Sequence, residues 1–79
     1  MDEPALDTES LEAIRERMRQ AAIDSGLTRE EIGLRMGFAK GGARQAIFRL
    51  LNADISYDPR LSTLLAFAKA VGCHLKDLL

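Results

Sequence analysis

The chain has 79 residues, a formal net charge of −1, 47% hydrophobic residues and 29% charged residues. This length favours a single domain with a small core. No apolar run approaches the roughly 18 residues that a membrane-spanning helix needs, so the sequence excludes an integral membrane protein. The start, MDEPALDTE, is too acidic for a secretory signal, and the single cysteine cannot form an internal disulfide. We therefore expect a cytoplasmic protein.

Charge is unevenly distributed along the chain. Residues 1–16 hold six acids and one base, whereas residues 17–79 hold ten bases and six acids. Phosphates respond to charges within about one Debye length, roughly 8–10 Å, so a local basic surface matters more than the net charge. The composition is therefore neutral about a nucleic-acid partner. We predict that residues 1–8 form an acidic flexible segment and that residues 9–79 form the domain.

The first predicted helix starts at about Thr8. Its apolar residues recur at helical spacing and comprise Leu11, Ile14, Met18, Ala21 and Ala22. Gly26 suits the left-handed position that ends a helix. This pattern places Arg15 and Arg19 on the solvent side.

A second, shorter helix follows a capping box. The hydroxyl of Thr28 can accept from the amide of Glu31, whose carboxylate can accept from the amide of Thr28. The helix is expected to run to about Met36. Gly33 lies on its packed side, where a larger side chain would push a crossing helix away. Gly37 supplies the positive-φ turn that follows.

The third predicted helix covers about residues 41–52. Its buried stripe comprises Ala43, Ala46, Ile47, Leu50 and Leu51. Its outward arc comprises Gly41, Gln45, Phe48, Arg49 and Asn52, with Gly42 and Arg44 at its flanks.

A fourth helix is expected after a loop, with Asp58 as its cap and Pro59 at its first position. Its predicted buried residues are Leu61, Leu64, Leu65, Ala68 and Val71. It should end at Gly72, and residues 74–79 should add a last short helix. The sequence contains no alternating strand pattern and no repeat, so we predict an all-α, compact five-helix bundle.

The segment from helix two to helix three carries the functional prediction. Two helices joined by a tight glycine turn cross steeply, which leaves the outer side of the second protruding, a shape that the DNA major groove accepts. Gln45 can pair with adenine and Arg49 with guanine. Arg44 is predicted as a third base contact. The alternative is that this arc is only the solvated face of an amphipathic helix.

Five further residues are predicted phosphate contacts, which fix register without reading bases. They are Thr28, Arg29, Lys40, Gly41 and Gly42. The two glycines would let the start of helix three approach a phosphate closely, although they can equally be loop glycines.

Other chemistry-bearing residues give weaker signals. Phe48 is expected to pack beside helix two or against a partner chain, and contact with a thymine methyl is the alternative. Tyr57 has two equal interpretations, a backbone or subunit contact and a loop anchor. Cys73 and His74 have no second cysteine or histidine to complete a zinc site, and Cys73 is interpreted as packing. We expect no enzymatic activity, no metal and no cofactor.

Several motifs together resemble the lambda-repressor-like helix-turn-helix family, of the Cro and xenobiotic-response-element type. They are Arg17-Met18, the GLT of residues 26–28, EEIGLRMG at 30–37, DPRLSTLLAFAKAVG at 58–72 and the closing LKDLL. The resemblance runs from about Leu11 to Leu79. It implies a five-helix bundle whose third helix enters the major groove, commonly as a dimer on a palindromic site.

The chain departs from that family in four places. Arg29 stands where the family often has a phosphate-contacting Gln. The FAKGGARQ segment is unusual, and the region 37–59 is longer by several residues than in common members. Residues 50–52 offer no Glu to pair with a helix-one Arg, which suggests that Arg17 is free for another role.

These observations predict a sequence-specific DNA-binding transcriptional regulator, a repressor that binds double-stranded DNA as a homodimer. One alternative is an antitoxin that neutralises a toxin partner and represses its own operon. Another is a protein-interaction module that kept the fold without DNA binding. The dependence of affinity on salt concentration distinguishes DNA binding from an apolar protein interface, because only DNA binding releases counterions.

Overall fold

A computed structural model describes residues 3–52 and 60–79, with side chains described from Leu11 onward. Within these ranges the chain forms α-helices and no strand, which confirms the all-α class. The α-helices are α1 (Glu3–Ser25), α2 (Arg29–Arg35), α3 (Ala43–Leu51) and α4 (Leu61–Val71). In place of a fifth α-helix, the described chain ends in a single 3₁₀ turn, Leu75–Asp77.

Helix α1 starts earlier than the sequence pattern predicts. Its backbone is helical from Glu3, so most of the predicted flexible segment 1–8 belongs to the helix, and a start at about Thr8 is wrong. Pro4 is compatible with this start, because the first helical turn does not use the amide hydrogen that proline lacks.

The inner side of α1 carries one charged residue among its apolar residues. Met18 is fully buried, and the predicted apolar neighbours Ile14 and Ala21 pack against the same core. Arg15 is only 4% exposed, which corrects its predicted solvent position. It lies three residues before Met18, and residues at that spacing share a helix face.

Helices α2 and α3 pack closely as predicted. The Thr28 hydroxyl accepts from the Glu31 amide at 3.0 Å, and the Glu31 carboxylate accepts from the Thr28 amide at 2.8 Å. A Cβ added at Gly33 would lie 2.6 Å from the Ala43 carbonyl oxygen, so only glycine permits this approach. Gly37 has φ +102°, the left-handed value that the turn requires.

Helix α3 starts at Ala43 rather than at about residue 41. Gly42 is its N-cap, with φ −120° and ψ 0°, and Gly41 lies in the preceding turn. Gly41 therefore does not belong to the outward arc of the helix. The predicted inner stripe is confirmed, since four of its five members are buried and Ala46 is partly buried; the four are Ala43, Ile47, Leu50 and Leu51.

Helix α4 starts later and turns a different face inward. Its N-cap is Arg60, and the predicted cap residues Asp58 and Pro59 lie outside the described residues. Its buried residues are Leu64, Phe67, Ala68 and Ala70. Leu61 and Leu65 are exposed, so their predicted burial is wrong. The sequence LSTLLAFAKAV is apolar on several sides, and its periodicity alone cannot select the face that packs.

The last residues of the chain contact α1. Gly72 has φ +86°, and its amide donates to the Ala68 carbonyl at 2.9 Å, as expected for a helix stop. Arg17 donates to the carbonyl oxygens of Leu78 at 3.3 Å and Leu79 at 2.9 Å. Arg17 thus has a role other than pairing with a Glu of α3, as the sequence suggests, because it binds the last two residues of the chain.

None of the described helices combines the length and the apolar character needed to cross a membrane.

Candidate nucleic-acid interface

The outer face of α3 is polar, cationic and open to solvent. Gln45 and Arg49 are exposed and lie four residues apart, so they occupy the same side of the helix on successive turns. Arg44 is also exposed, next to Gln45. A buried or covered position for Gln45 or Arg49 would have ruled out base contacts, and neither residue is covered by the described residues.

Helix α2 contributes one cation to the same surface. Arg29 is the first residue of α2 and is exposed, and the capping box just before it fixes where the helix begins. Arg29, Arg44, Gln45 and Phe48 line a shallow cleft of about 410 Å³ between the two helices. The structure thus brings a predicted phosphate contact together with two predicted base contacts.

The stretch of sequence that contains the turn and α3 carries charge of a single sign. Residues 32–53 contain four bases and no acid. Among the described residues, Arg29, Arg44 and Arg49 have no hydrogen-bond or ion-pair partner. Their guanidinium groups therefore point charge into solvent without internal compensation, which favours an anionic partner.

The turn before α3 holds the other predicted phosphate contacts. Lys40, Gly41 and Gly42 are exposed, and a Cβ added at either glycine would meet open space. Gly42 offers no side chain to accept from the first amides of α3, which leaves those amides without a side-chain cap. Thr28 uses its hydroxyl oxygen as an acceptor in the capping box and keeps a hydroxyl hydrogen to donate.

Phe48 is only partly packed. The residue is 52% exposed, so any packing of Phe48 leaves about half of it open to solvent. It lines the cleft with Arg29 and Arg44, and a second shallow cleft with Arg19 and Leu51. An aromatic ring therefore lies among these arginines. We call this surface the cationic surface; it comprises Arg29, Arg44, Gln45, Phe48 and Arg49.

Sequence reasoning missed two arginines that bind the ends of α3 and α4. Arg19 of α1 donates to the Leu51 carbonyl at 2.9 Å and forms an ion pair with Glu16 at 3.1 Å. Arg35 of α2 donates to the Ala70 carbonyl at 3.3 Å. These cations satisfy carbonyls at the last turns of α3 and α4, where partial negative charge accumulates. No local pattern signals the contacts, because each joins residues more than thirty positions apart.

The remaining reactive side chains do not assemble into a catalytic or metal site. Burial, and secondarily the charge of Asp77, raise the pKa of the Cys73 thiol, so the unreactive protonated form is favoured. No group of three His, Cys, Asp or Glu side chains within the described ranges is placed to hold a metal ion. Tyr57 lies outside the described residues.

The chain matches no known family model, no curated protein and no solved structure.

Proposed function

We propose that this protein is a sequence-specific DNA-binding transcriptional regulator of the lambda-repressor-like helix-turn-helix type. In this proposal the four helices and the 3₁₀ turn correspond to the five helices of that fold, and α3 lies in the major groove. The observation that carries the proposal is the exposure of Gln45 and Arg49 on one side of a helix that lies within a stretch, residues 32–53, with four bases and no acid.

The side chains divide into two roles. Gln45, Arg49 and Arg44 read base edges, since Gln pairs with adenine and Arg with guanine through two hydrogen bonds each. Arg29 and Lys40 contact phosphates on either side of the groove and fix the position of α3. Further phosphate contacts come from the first amides of α3, from the turn at Gly41 and Gly42, and from Thr28.

A dimer follows from the size of the reading surface. Helix α3 has nine residues and presents a few base-reading side chains, which specify a short half-site. Two copies on a palindromic site double the number of base contacts, and occupation of the site blocks transcription. A regulator of this kind acts where the chromosome is, so we place it in the cytoplasm.

Enrichment of bound duplexes from a random double-stranded DNA pool tests the proposal. We expect a recurring palindromic sequence, and a steep loss of affinity for it between low and physiological salt, because bound phosphates release counterions. No enrichment, or an affinity insensitive to salt, would contradict DNA binding.

A matched pair of variants separates local from overall charge. Arg44→Ala with Arg49→Ala should abolish enrichment of a recurring sequence and weaken the residual binding to unrelated DNA. Lys69→Ala with Lys76→Ala removes the same charge from exposed positions outside α3 and should leave both nearly unchanged. Equal losses in the two double variants would show that only net charge matters.

Exposed apolar side chains favour a second candidate, protein binding by an antitoxin or by a module without DNA affinity. Leu34 and Phe38 are each 42% exposed, close in sequence to the turn before α3. A toxin bound there would be captured in salt that releases DNA, and Phe38→Ala would weaken capture while leaving DNA enrichment intact. Capture of the protein encoded beside this gene tests that candidate.

A further inference from the structure

Phe48 is the residue of the cationic surface that polar recognition does not explain. Its ring is 52% exposed on a helix whose other outward residues are charged or amide side chains. Exposing an aromatic ring to water is unfavourable, whereas burying one apolar group stabilises a complex. A binding partner that covers this ring therefore gains from it.

The position of Phe48 restricts what that partner can be. The ring is three residues after Gln45 and four after Arg44, so all three lie on neighbouring turns of one side of α3. It also borders the cleft that contains Arg29. An approaching partner must accept an apolar contact at the centre and cations around it.

An apolar pocket on a protein fits this arrangement poorly, because docking would strip water from Arg29 and Arg44 without returning an opposite charge. The DNA major groove fits it well. Phosphates lie along both edges of the groove, and the 5-methyl group of thymine is the one apolar feature of its floor.

We infer that Phe48 is a specificity-determining residue that packs on the 5-methyl group of a thymine beside the base pair read by Gln45. The inference rests on the proposed function and adds one requirement to the binding site, a thymine at a fixed distance from that pair. Cytosine and uracil lack the methyl group, so Phe48 disfavours both at this position.

Removal of single methyl groups from the DNA tests this contact. Duplexes enriched from the random pool are prepared with each thymine replaced in turn by uracil, which removes the methyl group and keeps the pairing. We expect one thymine per half-site at which the replacement weakens binding about fourfold, the effect of losing one buried methyl group. Thymines outside the footprint serve as controls and should show no change.

Two variants at Phe48 test the same contact from the side of the protein. Phe48→Ala should bind the thymine and uracil duplexes equally, while Phe48→Leu should retain part of the preference because leucine still offers an apolar contact. Thermal melts followed by circular dichroism establish that both variants fold.

The outcomes are distinguishable. If no duplex is enriched, the proposed function fails and this inference fails with it. If duplexes are enriched with a steep salt dependence but no uracil replacement weakens binding, or if Phe48→Ala keeps the thymine preference, DNA binding stands and the thymine contact is wrong.

Discussion

The inner and outer faces of α3 differ in burial and in the role that we assign to each. The inner face is made of Ala43, Ile47 and Leu50, each at most 3% exposed and packed in the core. The outer face carries Arg44, Gln45, Phe48 and Arg49, all exposed. Changes on the inner face should therefore alter stability, and changes on the outer face should alter binding with little effect on stability.

The largest effect is expected from the inner face. Leu50→Ala should lower the free energy of unfolding by about 2–5 kcal/mol, because it removes buried methyl groups and leaves a cavity. Leu65→Ala is the matched control, since Leu65 is 43% exposed on α4 and should cost far less. Chemical denaturation measures both, and equal losses would contradict the assignment of the inner face.

The contact between α2 and α3 should be nearly as sensitive. Gly33→Ala places a Cβ 2.6 Å from the Ala43 carbonyl oxygen, so the helices must separate, at a cost of about 1–3 kcal/mol. Gly41→Ala adds the same atom in open space and should leave the unfolding midpoint almost unchanged. A tolerated Gly33→Ala variant would show that the two helices need not approach so closely.

The outer face should respond in binding alone. Gln45→Ala and Arg49→Ala should each weaken operator binding by about 1–3 kcal/mol and relax base preference at one position. Their melting curves should overlay that of the parent, since both side chains are exposed. Footprints identical to the parent's would mean that this face does not read bases.

The smallest effect is expected where α1 holds the end of α3. Arg19→Ala removes the donor to the Leu51 carbonyl and should destabilise the fold by about 1 kcal/mol. Its loss of DNA affinity should be smaller than that of Arg49→Ala, because Arg19 positions the helix through its backbone. A melting curve indistinguishable from the parent's would show that this hydrogen bond contributes nothing.

Local patterns predicted those parts of the fold that depend on near neighbours. The capping box at Thr28 involves residues three apart, and the stop at Gly72 depends on one backbone conformation that glycine adopts easily. Even the Gly33 contact was predictable, because a glycine on a packed helix face permits close approach. The exposed arc of α3 follows in the same way from the spacing of its apolar residues.

Features that depend on distant partners could not be predicted. The burial of Phe67 instead of Leu61 and Leu65 is set by the surfaces that α4 meets, which its own apolar sequence does not reveal. The arginine contacts to carbonyls at the ends of α3 and α4 likewise join distant parts of the chain.

The sequence by itself determined the all-helical class, the turn between α2 and α3, and the cationic composition of the outer arc, because periodicity, glycine conformations and charge are local properties. Only the tertiary structure decided which face of α4 is buried, that Arg15 is buried while Arg17 donates to Leu78 and Leu79, and that Arg29 and Phe48 border one cleft. Those outcomes depend on which surfaces meet when the helices pack, and burial is determined by the partner as much as by the residue.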